Sequence, residues 1–205
     1  MPNLKTIGIL GGMGPEATIL LQQRILAAVD AKDDCDHVPL LIDMNPQVPS
    51  RIDFLLKGRG EDPGRVLALM AKRLEGAGAS ALAMPCNTAH LFAPQIESAS
   101  NVPLLNMVDL ATDAVLKEIG EGGKVGILAS PATKETGLFE KAFAAKKMTT
   151  VFPSDQGAML SAIQHIKANG ASEASRQVLA RAGAECEMLG VKILLVGCSE
   201  FSLMS

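Results

Sequence analysis

The sequence predicts an α/β fold of two similar lobes, each with a mainly parallel sheet flanked by helices. Three observations predict it. Short apolar runs alternate with longer amphipathic stretches, the pattern of β/α units. The strand-like Ile7-Gly8-Ile9-Leu10 returns as Val125-Gly126-Ile127-Leu128. Each copy leads to a small-residue strand that ends in cysteine: Cys86 lies 78 residues after Gly8, and Cys198 lies 72 after Gly126. The chain therefore divides into a first lobe, 1–100, carrying Cys86 and a second, 101–205, carrying Cys198.

Each element has its own signal. Strands are expected at 6–10, 38–44, 79–84, 125–129 and 192–197, where apolar runs are short and bounded by turn residues. A helix opens near Pro15, whose fixed φ suits a first turn. Amphipathic periodicity places further helices at 61–77, 107–119, 133–147, 157–168 and 172–189. The segment 45–60 holds Pro46, Pro49, Gly58 and Gly60 and reads as a long loop, which in an α/β chain is often functional.

Composition excludes several function classes. With 205 residues, 48% of them hydrophobic, the chain can bury a substantial core. A net charge of -3 gives no global pull toward nucleic acid or anionic membrane. Aromatic residues make up 3%, with no Trp or Tyr, so bases find no stacking platform. The opening MPNLKTIGIL reads as a strand rather than a signal peptide, and no apolar run approaches the ~18 residues of a spanning helix. The expectation is a soluble, cytoplasmic protein with no nucleic-acid or membrane partner. Cys35, Cys86, Cys186 and Cys198 form no C-x-x-C pair and read as free thiols in a reducing compartment.

Two of those thiols stand where chemistry is done. Pro85-Cys86-Asn87-Thr88-Ala89-His90 and Gly197-Cys198-Ser199-Glu200 each follow a strand and open a helix. Carboxyl ends of parallel strands are where open α/β sheets hold ligands. A helix start there offers free N–H groups that bind carboxylates and favour a thiolate. Cys186 sits inside a helical pattern and reads as a small core hydrophobe. Asp33-Asp34-Cys35-Asp36-His37 mimics metal ligands but lacks a second cluster to complete a shell, so no metal is expected. His90, four residues past Cys86, could pair with it as a hydrolytic dyad, but no third member accompanies it and a structural role is favoured. The turn Gly11-Gly12-Met13-Gly14-Pro15-Glu16-Ala17, with Asp43 ending the next strand, also satisfies a dinucleotide fingerprint. That leaves a dinucleotide-binding oxidoreductase as an alternative, although nicotinamide chemistry would not use a cysteine pair. A turn bordering a small polar substrate fits better.

The sequence resembles the aspartate racemases of the cofactor-independent aspartate/glutamate racemase superfamily. The resemblance rests on KTIGILGGMGPEAT, NPQVPSR, PCNTAH, the GILA strand with Thr133 after it, HIKANG and GCSE, and runs from Lys5 to Glu200. It is unlike the cell-wall glutamate racemases, which carry Asp-Ser where Leu10-Gly11 stand and His where Glu200 stands. The resemblance implies an active site in the cleft between the lobes, Cys86 and Cys198 as the catalytic pair, no cofactor and a homodimer. It also implies that Arg51 and Lys167 hold the substrate's side-chain carboxylate, and that Asn87, Thr88 and Ser199 hold its α-carboxylate. Met13, Gln47, Ser130 and Thr133 would line the cleft, with Glu200 also counted in the substrate-binding set. Ser199 where Thr is usual, Pro131, and the run Phe201-Ser202-Leu203-Met204 depart from the family pattern and bear on substrate choice, aspartate or glutamate.

Family members continue past this point with a helix and a strand that return to the first lobe. The expectation here is a truncated or unusually short terminus that leaves an apolar patch on that lobe. The competing functional class is a catalytically silent amino-acid-binding protein, which would need neither cysteine.

Overall fold

The computed structural model describes residues 4–204. The chain forms two compact units, Met1–Met107 and Val108–Ser205. In the first unit, β1 (Ile7–Gly11), α1 (Pro15–Ala28), β2 (Leu40–Met44), α2 (Arg51–Lys57), α3 (Pro63–Gly76), β3 (Ala81–Ala83), α4 (Ala93–Ala99) and β4 (Leu104–Leu105) follow in order. A 3₁₀ helix, Thr88–Phe92, joins β3 to α4. The sheet runs β2-β1-β3-β4 with every pair parallel, and Ile9 lies opposite both Ile42 and Ala83.

α3 supplies most of this unit's apolar face. The Asp62 carboxylate caps the helix by accepting from the Gly64 N–H, and Pro63 occupies the first turn. Leu67, Met70, Ala71 and Leu74 recur at i, i+3, i+4 and i+7, all buried against Leu10, Leu82, Phe92 and Ile96. Each fully buried Leu or Met here is worth about 1.5–3 kcal/mol.

The second unit contains α5 (Met107–Ile119, beginning at the boundary), β5 (Lys124–Leu128), α6 (Pro131–Glu135), α7 (Leu138–Ala144) and β6 (Thr149–Val151). Then come α8 (Gln156–Asn169), α9 (Glu173–Met188), β7 (Ile193–Val196) and α10 (Ser199–Ser202). Its sheet, β6-β5-β7, is parallel and has a core on each face. Successive β5 residues alternate between the two. Val125 and Ile127 join Val108, Val115, Phe139 and Phe143, whereas Leu128 joins Met159, Ile163, Ile166, Cys186 and Phe201.

The repeated glycine has a packing reason. A Cβ on Gly8 would come within 2.9 Å of Ala79 Cβ and 3.0 Å of Leu74 Cβ; one on Gly126 would come within 2.6 Å of Leu194 Cδ2 and 3.0 Å of Cys186 Cβ. In each unit the central strand thus stays bare where the helix ahead of the cysteine strand crosses it.

Two expectations about elements change, and two short strands are added. Residues 45–60 are not one loop, because α2 occupies Arg51–Lys57. The Ser50 hydroxyl accepts from the Asp53 N–H at its start, Lys57 pairs with Asp53 at 2.6 Å, and Phe54 and Leu55 pack on the core. The helix expected at 133–147 is two helices, α6 and α7, divided at Gly137 in the left-handed region (φ 67°). β4 and β6, two and three residues long, are edge strands too short to leave a period. Among the described residues no helix is long and apolar enough to cross a membrane.

Candidate active site

Parallel pairing puts the turns after β1, β2 and β3 at one edge of the first sheet. That edge carries Met13, Gln47, Arg51, Cys86, Asn87 and Thr88. In the second unit the turns after β5 and β7 bring Ser130, Thr133, Cys198, Ser199 and Glu200 to the corresponding edge. Lys167 joins them from the last turn of α8.

Cys86 is buried in a tight turn: its N–H donates to Met84 O at 2.8 Å, and its carbonyl accepts from Ala89 N–H at 3.2 Å. Asn87, also buried, begins the 3₁₀ helix that Thr88 opens. His90 is buried with both ring nitrogens engaged by backbone. Nε2 accepts from the Met107 N–H at 3.2 Å, so it carries no proton, and Nδ1 donates to the Cys86 carbonyl at 2.9 Å. This neutral histidine holds the Cys86 turn and does not bond its sulfur in these contacts.

Arg51 is the first residue of α2, not a loop residue as expected. Nη1 donates to Val48 O at 3.2 Å and Pro49 O at 3.1 Å, fixing the guanidinium plane. Gln47 is exposed, and its N–H donates to Asn45 Oδ1 at 3.0 Å.

The glycine turn is closed on itself. The Gly12 N–H donates to Thr18 Oγ1 at 3.0 Å, and Asp43 Oδ2 accepts from Arg73 Nη2 at 2.6 Å. A dinucleotide needs those groups for pyrophosphate and ribose. At φ 91°, a Cβ on Gly12 would lie 2.4 Å from the Asn45 carbonyl carbon. Gly12→Ala should therefore cost about 2 kcal/mol or more, from left-handed strain and a backbone clash. A thermal melt checks this; the expected fall is roughly 4 °C or more.

In the second unit, Cys198 is the N-cap of α10, and its carbonyl accepts from Phe201 N–H at 3.1 Å. Its thiol donates to Glu200 Oε2 at 3.0 Å, and the Ser199 hydroxyl reaches the same oxygen at 3.4 Å. Lys167 Nζ lies 3.3 Å from Glu200 Oε1. Ser130 and Thr133 are buried, and Thr133 Oγ1 donates to Ser130 O at 2.7 Å, bracing the turn after β5.

The other thiols differ. Burial, then the nearby Glu185 carboxylate, pushes the Cys186 thiol up, which suppresses its thiolate. Cys35 is exposed within a capping box in which Asp33 accepts from the Asp34 N–H and Asp36 accepts from the Asp33 N–H. Among the described residues, no group of three or more His, Cys, Asp or Glu side chains is placed to hold a metal ion.

A profile of the Asp/Glu/Hydantoin racemase family matches residues 10–205. The chain belongs to that family. Among solved structures it is similar to Picrophilus torridus aspartate racemase, with 29% identity, a TM-score of 0.88, and coverage of 98% of this chain and 84% of the other. An aspartate racemase homologue from Pyrococcus horikoshii OT3 shares the fold, at 24% identity and a TM-score of 0.76, covering 98% of this chain and 88% of that one. A broad specificity amino-acid racemase of Bacillus subtilis (strain 168) is 29% identical over 140 residues, 66% of this chain. The match spans 59% of that relative's length, less than two thirds.

Proposed function

We propose that this racemase-family chain is a cofactor-independent amino-acid racemase acting on an acidic substrate, aspartate or glutamate. The observation that carries the reading is the pair of buried strand-end thiols, one in each unit, each followed by polar residues. Racemisation takes a proton from one face of Cα and returns one to the other. A thiolate and a thiol do this as base and acid, and exchange protonation states with each turnover. The Cα–H is very weakly acidic, so donors must stabilise the enediolate-like charge that grows on the α-carboxylate. Asn87, Thr88, Ser199 and the first N–H groups of α10 supply such donors, since a helix's leading N–H groups have no partner within it. Arg51 takes the side-chain carboxylate, with Lys167 beside Glu200 as a second cation. Met13, Gln47, Ser130 and Thr133 shape the surroundings.

Both thiols must stay reduced, which suits the cytoplasm. The exposed apolar residues of the first unit, Ile19 and Leu26 on α1 and Ile42 and Met44 on edge strand β2, favour a homodimer. The test is to incubate purified protein separately with L-aspartate and L-glutamate and resolve the enantiomers. The D-enantiomer of one acid should accumulate without added cofactor, unaffected by EDTA or hydroxylamine. Binding without interconversion would make the chain an amino-acid binder. Activity lost to chelator and restored by a metal ion would sink the cofactor-free scheme.

A further inference from the structure

Glu200 is buried, 8% exposed, and its carboxylate accepts from three donors: the Cys198 thiol, the Ser199 hydroxyl and the Lys167 ammonium. A buried anion so engaged is poorly suited to gripping a substrate that is itself a carboxylate. We infer that Glu200 is a positioning residue that keeps a proton on Cys198, so that Cys198 rests as the proton-donating member of the pair. The inference rests on the racemase reading for its place in catalysis, but not for its test.

Two effects act in one direction. A hydrogen bond from the neutral S–H to a carboxylate stabilises the thiol, and the nearby negative charge disfavours a second anion on sulfur. Lys167 opposes both by compensating the carboxylate. Of the elements packed against α10, α8 contributes Lys167 and an exposed His165 that lies by Asn169, and β7 contributes no titratable side chain. Arg176 of α9 donates to the Met204 carbonyl at the far end of this segment. The Cys198 thiol is therefore held as a proton donor before substrate arrives. In the turnover direction this favours, Cys86 as base takes the Cα proton and Cys198 S–H delivers its own to the opposite face. Cys86 S–H then loses its proton to solvent and Cys198 S⁻ regains one, which restores the starting arrangement.

The experiment is iodoacetamide alkylation across the neutral to alkaline range, read peptide by peptide, with Cys86 as an internal reference. In Glu200→Gln the Cys198 midpoint should fall by about one unit or more, speeding its alkylation at neutral pH roughly tenfold, while the Cys86 profile stays put. Lys167→Met, at a side chain 42% exposed, should move the Cys198 midpoint upward. A Cys198 profile unmoved or raised in a folded Glu200→Gln protein would overturn the inference. If Glu200→Gln does not fold, a Lys167→Met profile that is unchanged or lowered would overturn it as well. An inactive wild type that still shows the Glu200-dependent shift would sink the racemase reading and leave this one standing.

Discussion

Cys86→Ala and Cys198→Ala are each expected to lower racemisation by about a hundredfold to ten-thousandfold, because a positioned acid or base contributes on the order of 10²–10⁴ and each turnover needs both. Neither side chain is large. Both residues lie at core margins, at 8% and 7% exposure, so the folded proteins should survive with a modest loss of melting temperature. The remaining cysteines are the controls. Cys35→Ala removes an exposed thiol, and Cys186→Ala removes one whose ionisation burial suppresses; both should keep turnover within a few-fold. Initial rates of D-enantiomer formation, with melts on the same samples, check the set. Near-normal turnover in Cys198→Ala would show that a single thiol does the work.

Arg51→Ala should raise KM for the acidic substrate roughly 10–100-fold with a smaller change in kcat. Charge-assisted bonds to a guanidinium are worth about 1.5–3 kcal/mol, and a grip on the side-chain carboxylate holds ground state and transition state alike. Arg51→Lys should recover little, since an ammonium lacks the planar fork and cannot brace on Val48 O and Pro49 O in the same way. Steady-state kinetics on the preferred acid decide this. Unchanged KM in Arg51→Ala would remove Arg51 from the site.

The fold was legible where burial imposes a period. α3 shows Leu67, Met70, Ala71 and Leu74 on one stripe, and β5 alternates Val125 and Ile127 against Leu128. It was illegible where local chemistry overrode composition. Pro49 and Gly58 made residues 45–60 look like loop, yet Ser50 with Asp53 three residues on is a capping signature that starts α2 between them. Gly137 broke a helix whose apolar pattern continues through it.

Of the candidate site, the two cysteine turns were readable because strand-end position and polar successors coincide. The partners of those residues were not. Nothing in the order of the chain ties Thr18 to the Gly12 N–H, Arg73 to Asp43, or Lys167 to Glu200, because each pairing depends on how helices settle on their sheet. The bond between Glu200 and the Cys198 sulfur likewise appears only in three dimensions.

The central claim is that Cys86 and Cys198 work as two bases on one Cα. Racemisation of the preferred L-acid in D₂O, followed at early times by mass and by enantiomer, tests it most directly. The two-base account predicts that the D-product carries deuterium at Cα from the first turnovers, while the remaining L-substrate keeps its protium. A D-product that retains the substrate's own protium, or deuterium entering the L-substrate as fast as product forms, would mean that one group serves both faces and would contradict the account.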